Sequence, residues 1–217
     1  MAINKRKVLD SAQKHLQRGA LDRALKDYQS LLGADPRDTN VRLKIADLQL
    51  RLGHAAEALD AYLKVAAQFM KDGFDAKAVA IFKQVHRIDA RRAEVWEPLA
   101  ELYQRMGLNA EAMAALQTAA DARRQAGRRS EALDLLRRMA SLDPTNTTSR
   151  LKVAELLRAD GRHAEAVVEY RAAALELERQ AEGEGAAAAL EKAIELQGED
   201  IELLERAVRV LLQHGSA

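Results

Sequence analysis

No cysteine occurs among the 217 residues, which excludes disulfides, thiolate metal sites and cysteine nucleophiles and allows a reducing compartment. Aromatic residues make up only 4% of the chain although apolar residues make up 48%. The apolar bulk is therefore Ala, Leu and Val, which pack helices better than strands. With three prolines and few β-branched runs, an all-α chain is expected, long enough to bury a core. Neither charge sign dominates: 34 basic and 33 acidic side chains leave a net +1, so no global field draws in nucleic acid or an anionic membrane. No apolar run approaches the ~18 residues of a membrane span. The opening "MAINKRKVLDSAQKHLQ" is basic but has neither the apolar core nor the small-residue cleavage site of a signal peptide. A soluble, cytoplasmic protein is expected.

Motifs that carry chemistry are missing too. His15, His54, His86, His163 and His214 show no HxxxH or HExxH spacing that would set two metal ligands on one helical turn. There is no GxxxxGK[ST] and no strand-linked GxGxxG, and "EGEG" at 182–185 reads as a turn. No serine stands in a GxSxG context. No cofactor, metal or catalytic residue is expected, and the chain reads as a non-enzyme.

What is present is a repeat. Gly19, Gly53, Gly73, Gly107, Gly127 and Gly161 are spaced alternately 34 and 20 residues apart, and the rule extends to Ala181 and Gly215. Five residues after each of the first seven marks stands an alanine (Ala24, Ala58, Ala78, Ala112, Ala132, Ala166, Ala186). Seven residues before each stands another (Ala12, Ala46, Ala66, Ala100, Ala120, Ala154, Ala174). Nine residues after each comes a large side chain, from Tyr28, Tyr62 and Phe82 to Leu116, Leu136, Tyr170 and Leu190. Offsets of 5, 9 and 12 lie along one helix face, so each mark separates two helices at a turn where positive φ is needed. The small columns let two helix axes approach closely while the large residues fill the space beyond.

The stretch "VWEPLAELYQRMGLNAEAMAALQTAA" resembles the tetratricopeptide repeat (TPR), a 34-residue helix-turn-helix. Trp96, Leu99, Ala100, Tyr103, Gly107, Ala112 and Leu116 fall on its pattern, and Pro36 and Pro144 fall on its closing proline. The resemblance implies a TPR-like α-solenoid, a right-handed superhelix of antiparallel helices. The 20-residue step departs from it and makes a 54-residue unit of three helices, kept in phase by Pro36, Ala90, Pro144 and Gly198. Twelve helices are predicted: 4–18, 21–34, 38–52, 55–71, 75–88, 92–106, 109–126, 129–142, 146–160, 163–180, 184–196 and 199–213. They form one continuous solenoid with units at about 1–36, 37–90, 91–144 and 145–198 and an incomplete unit at 199–217. Pro98 should occupy the first turn of its helix, where it removes no helical hydrogen bond.

The resemblance implies protein binding, as a scaffold or adaptor for a peptide or protein segment. Members of the family bind along the first helix of each pair at its second, fifth and ninth positions, here Asn40, Leu43, Asp47; Glu94, Glu97, Glu101; and Thr148, Leu151, Glu155. Acid at these positions repels an anionic chaperone tail and suits a basic or amphipathic segment. The run "DARRQAGRRSEALDLLRRM" concentrates Arg123, Arg124, Arg128, Arg129, Arg137 and Arg138, but holds no aromatic on which a base would stack. It reads first as a solvated helix pair balancing neighbouring acids, then as a surface for an acidic partner, and last as an RNA-binding repeat. Ile201, Leu204, Val208 and Leu211 make the last helix apolar over more than one face, so self-association through an open end is the second function expected. The amino-terminal half, with "LKVAAQFM" and "KDGFDAKAVAIFKQVHRID", also resembles bacterial TPR proteins of motility, polarity and secretion machinery.

Overall fold

A computed structural model describes residues 4–197 and 205–210. Among these residues the chain forms eleven α-helices: α1 (Lys5–Gln17), α2 (Leu21–Ala34), α3 (Thr39–Arg51), α4 (Ala55–Lys71), α5 (Asp75–Ile88), α6 (Trp96–Arg105), α7 (Asn109–Gln125), α8 (Arg129–Leu142), α9 (Thr147–Ala159), α10 (His163–Arg179) and α11 (Gly183–Leu196). Residues 205–210 are also helical and fall within the predicted helix 199–213, whose remainder lies outside the described residues. The predicted elements coincide with these to within a few residues. The largest difference precedes α6, where Ala93–Val95 form a 3-10 turn and the α-helix begins at Trp96. Pro98 is thus the third residue of α6, a first-turn position whose N–H would have no intrahelical partner.

Two compact units divide the chain, Met1–Met106 and Gly107–Ala217. The first holds α1 to α6 and the second α7 to α11, each a TPR-type stack in which sequential helices pack on one another. The starts of α3, α4 and α5 recur 54 residues later at Ala93, α7 and α8, and again at α9, α10 and α11.

The turns explain the 34 and 20 spacing. At Gly73, φ is +78°, and the amide of Phe74 donates to the carbonyl of Phe69 at 2.8 Å, which closes the end of α4 with a left-handed cap. The rings of Phe69 and Phe74 meet edge to face at 6.2 Å, the apolar contact that accompanies such a cap. Ala181, the residue the spacing substitutes for glycine, adopts the same conformation at φ +61°, with the amide of Glu182 donating to Leu177 at 2.9 Å.

Burial follows the columns. All fourteen alanines flanking the first seven marks are at most 2% exposed. The large column from Tyr28 to Leu190 is buried throughout, with Tyr62, Leu116, Tyr170 and Leu190 fully enclosed. A side chain no larger than a methyl at each close approach leaves room for these neighbours, so the small and large columns form one packing pattern.

Candidate protein-binding groove

The nine positions expected to bind a partner are spread over α3, the turn and helix of α6, and α9, and most of their carboxylates already have partners. On α3, Asn40 is exposed, Leu43 is partly buried, and Asp47 accepts a hydrogen bond from the Tyr62 phenol at 2.6 Å. Burial and then the Asp47 carboxylate push the Tyr62 pKa well above its ordinary value. Glu94 pairs with Arg92 at 3.0 Å, Glu97 is partly buried, and Glu101 is ion-paired with Arg105 on the same helix. On α9, Thr148 is exposed, Leu151 is partly buried, and Glu155 pairs with Lys192 of α11 and with Arg158 at 3.0 Å. Burial raises the Glu155 pKa, but the hydrogen bond from Lys192 and the charges of Lys192 and Arg158 outweigh it and hold the carboxyl below its ordinary value.

The arginine run is ion-paired in the same way. Arg123 and Arg128 reach Glu131 at 3.2 and 3.9 Å, Arg124 reaches Asp121 at 3.2 Å, Arg129 reaches Asp160 at 3.2 Å, and Arg137 reaches Glu165 at 2.9 Å. Arg138 is exposed. Of the apolar positions proposed for self-association, Val208 is 55% exposed beside buried Ala207 and Val210, whereas Ile201, Leu204 and Leu211 lie outside the described residues.

Within the second unit, α7, α8 and α9 enclose a groove of about 400 Å³. Its floor is apolar, made by buried Ala120, Ala132, Leu136 and Leu156 with exposed Ala159 at the edge, and the lining also carries Gln117, Asp121, Arg124, Arg129, Lys152 and Glu155. Lys152 donates to the side-chain oxygen of Gln117 at 2.7 Å and, among the described residues, has no carboxylate partner. Gln117 in turn donates to Asp121 at 2.9 Å. The groove therefore pairs an apolar floor with a rim whose positive charge exceeds its negative charge, an arrangement that can hold an extended segment with alternating side chains.

Sequence reasoning placed Glu155, Arg124 and Arg129 among the candidates and missed Gln117, Asp121 and Lys152. The signal for two of these was present. Gln117 and Asp121 stand ten and six residues before Gly127, the offsets at which Leu43 and Asp47 precede Gly53. Applying the first-helix positions to the 20-residue step as well as to the 34-residue step would have found them. Lys152 has no such register position, because it faces the groove from the flank of α9.

Among the described residues, no cluster of three or more histidine or acidic side chains could hold a metal ion, and no helix is long and apolar enough to cross a membrane. No curated protein matches the chain. Solved structures similar to it include the MamA protein, 20% identical over 82% of this chain and 94% of that one, with a TM-score of 0.29. Another is the C-terminal part of a TPR repeat-containing protein from Cytophaga hutchinsonii, 12% identical over 95% of both chains, with a TM-score of 0.38. A third is YrrB, described as a TPR protein with an unusual peptide-binding site, 15% identical over 82% of this chain and 96% of that one, with a TM-score of 0.30. Residues 15–75 match the family described as tetratricopeptide repeat, and the capped turns and alanine columns of that stretch recur as far as α11.

Proposed function

We propose that the protein is an interaction adaptor that holds an extended segment of another protein in the groove between α7 and α9. The observation that carries this reading is the groove itself, an open space of about 400 Å³ with an apolar floor and a polar rim, lined by α7, α8 and α9. Tetratricopeptide repeats are interaction modules. Main-chain groups of an extended segment would meet Gln117 and Lys152, while alternate side chains would settle on Leu136 and Leu156.

The positions expected on α3 and α6 support this role less directly. Asp47 and Glu101 are engaged with Tyr62 and Arg105, so a basic or amphipathic segment would have to compete for them. Self-association through the last helix, with Val208 exposed, is the second reading.

Selection of a displayed library of random twelve-residue peptides tests the groove. Ala159 is exposed at its edge, so Ala159→Trp fills the space without entering the core. Peptides enriched on the wild type and lost on A159W place binding in the groove. Peptides retained equally by both forms remove it from consideration.

A further inference from the structure

The repeat supplies its own comparison for the groove. Fifty-four residues before Arg124, Arg129, Glu155 and Ala159 stand Met70, Asp75, Glu101 and Arg105. In the first unit the Arg105 guanidinium donates to the Met70 carbonyl at 3.1 Å and pairs with Asp75 at 3.5 Å and with Glu101. One cation of the chain's own thus binds the residues equivalent to three that line the groove. Fifty-four residues after Arg124 and Lys152 stand Glu178 and Arg206, and these form a two-pronged ion pair at 2.9 and 3.0 Å. Each neighbouring repeat thus sets a guanidinium on a carboxylate among the positions equivalent to the groove lining, Arg105 on Asp75 and Glu101 in one and Arg206 on Glu178 in the other.

In the repeat between them the charges do not match. Arg124 and Lys152 stand where Glu178 and Arg206 attract each other, so two cations take the place of an opposite pair. Arg129 replaces Asp75, and the side chain that would reach in has been cut back to Ala159. The acids present are ion-paired, Asp121 with Arg124, Asp160 with Arg129, and Glu155 with Lys192 and Arg158, which leaves Lys152 as the groove cation without a carboxylate among the described residues. The groove lining thus carries three cations against two carboxylates, a net positive charge whose field low-dielectric walls concentrate in the cleft.

Resting on the groove reading above, we infer that the occupant is an acidic side chain of a partner segment, its carboxylate set among Arg124, Arg129 and Lys152 and its apolar neighbour on the floor. It mirrors, with the sign reversed, the way Arg105 fills the equivalent place in the first unit. An internal Glu or Asp suffices, since the rim offers guanidinium and ammonium donors rather than a pocket closed around a chain terminus.

The test is a fluorescence-anisotropy titration of the full chain with three labelled ten-residue peptides, blocked at both ends, alternating Leu with Glu, with Gln or with Lys. The acidic peptide is expected to bind at least about tenfold more tightly than the other two and to weaken as salt rises. Lys152→Glu, at an exposed site, should cost that peptide about tenfold or more and leave the far-ultraviolet circular dichroism unchanged. Ala159→Glu supplies the missing carboxylate from within and should block the acidic peptide while raising the melting temperature. Tighter binding of the neutral or basic peptide, still blocked by A159W, overturns the acidic assignment and leaves the groove in place. Binding of none of the three overturns the acidic assignment, and together with a failed library selection it removes the groove as well.

Discussion

Tyr62 on α4 donates its phenol proton to Asp47 on α3 at 2.6 Å, and this bond ties the two helices together at a fully enclosed ring. The pair recurs 108 residues later as Tyr170 and Glu155, but there the carboxylate is taken by Lys192, and the buried phenol has no hydrogen bond of good geometry. The same two columns therefore store different amounts of stability.

Replacing each tyrosine by phenylalanine measures that difference. Tyr62→Phe removes a hydrogen bond to a charged acceptor and should cost roughly 1.5–3 kcal/mol. Tyr170→Phe removes a hydroxyl that is already unsatisfied and should change stability by less than about 0.5 kcal/mol. Urea unfolding of the two variants decides the matter, and equal losses would contradict the assignment of partners. Because the raised pKa of Tyr62 belongs to the folded state, its contribution should be complete at neutral pH and be lost as pH rises from the ordinary tyrosine value through the folded one.

Ala181 holds a φ of +61° with a side chain that the left-handed region disfavours. Six glycines occupy the corresponding marks with φ between +69° and +82°. Ala181→Gly should stabilise the protein by about 1 kcal/mol, the strain relieved exceeding the extra entropy of the unfolded glycine. Gly73→Ala, with open space around the added methyl, should cost a similar amount through backbone strain alone. Thermal unfolding of both variants checks the sign, and a destabilised A181G would show that the turn needs the methyl group.

Glu155 links α9 to α11 through Lys192, and its carboxyl is held below the ordinary value of 4.5. A depressed folded pKa means that the contribution is present above the unfolded value and is lost as pH falls through the folded one. The wild type should therefore exceed Glu155→Gln in stability at pH 7, and the two should converge below about pH 4. A difference that persists unchanged into acid would assign the effect to packing. Melting temperatures measured from pH 7 to pH 3 distinguish the two.

The helices were legible because their signals are local and repeated. A glycine at a fixed offset from two alanines specifies a turn and two close approaches, and Ala181 shows that the offset, more than the residue type, predicts the backbone. Register on one helix was legible for the same reason, so Asp47 and Glu155 emerged as equivalent positions. What each carboxylate touches was not, because Tyr62 and Lys192 come from other helices and the ion pairs depend on side-chain reach. The open groove was hidden further still. It depends on an absence, Ala159 in place of Arg105, which becomes visible only when the space between three helices is known.

Ala66 and Ala67 are neighbours on α4 with opposite surroundings. Ala66 stands seven residues before Gly73 and is fully buried, on a helix that packs against both α3 and α5. Ala67 faces solvent. Since protein interiors are packed as densely as organic crystals, a leucine at 66 has no space and must push the helices apart or leave its preferred rotamer. Ala66→Leu should cost about 1–3 kcal/mol, whereas Ala67→Leu, with the same change in composition and helix propensity, should stay within about 0.5 kcal/mol of the wild type. Urea unfolding of the pair separates close approach from simple hydrophobicity. If the alanine column serves only to favour helix formation, both leucines will be tolerated alike, and the packing account of the 34 and 20 spacing would have to be abandoned.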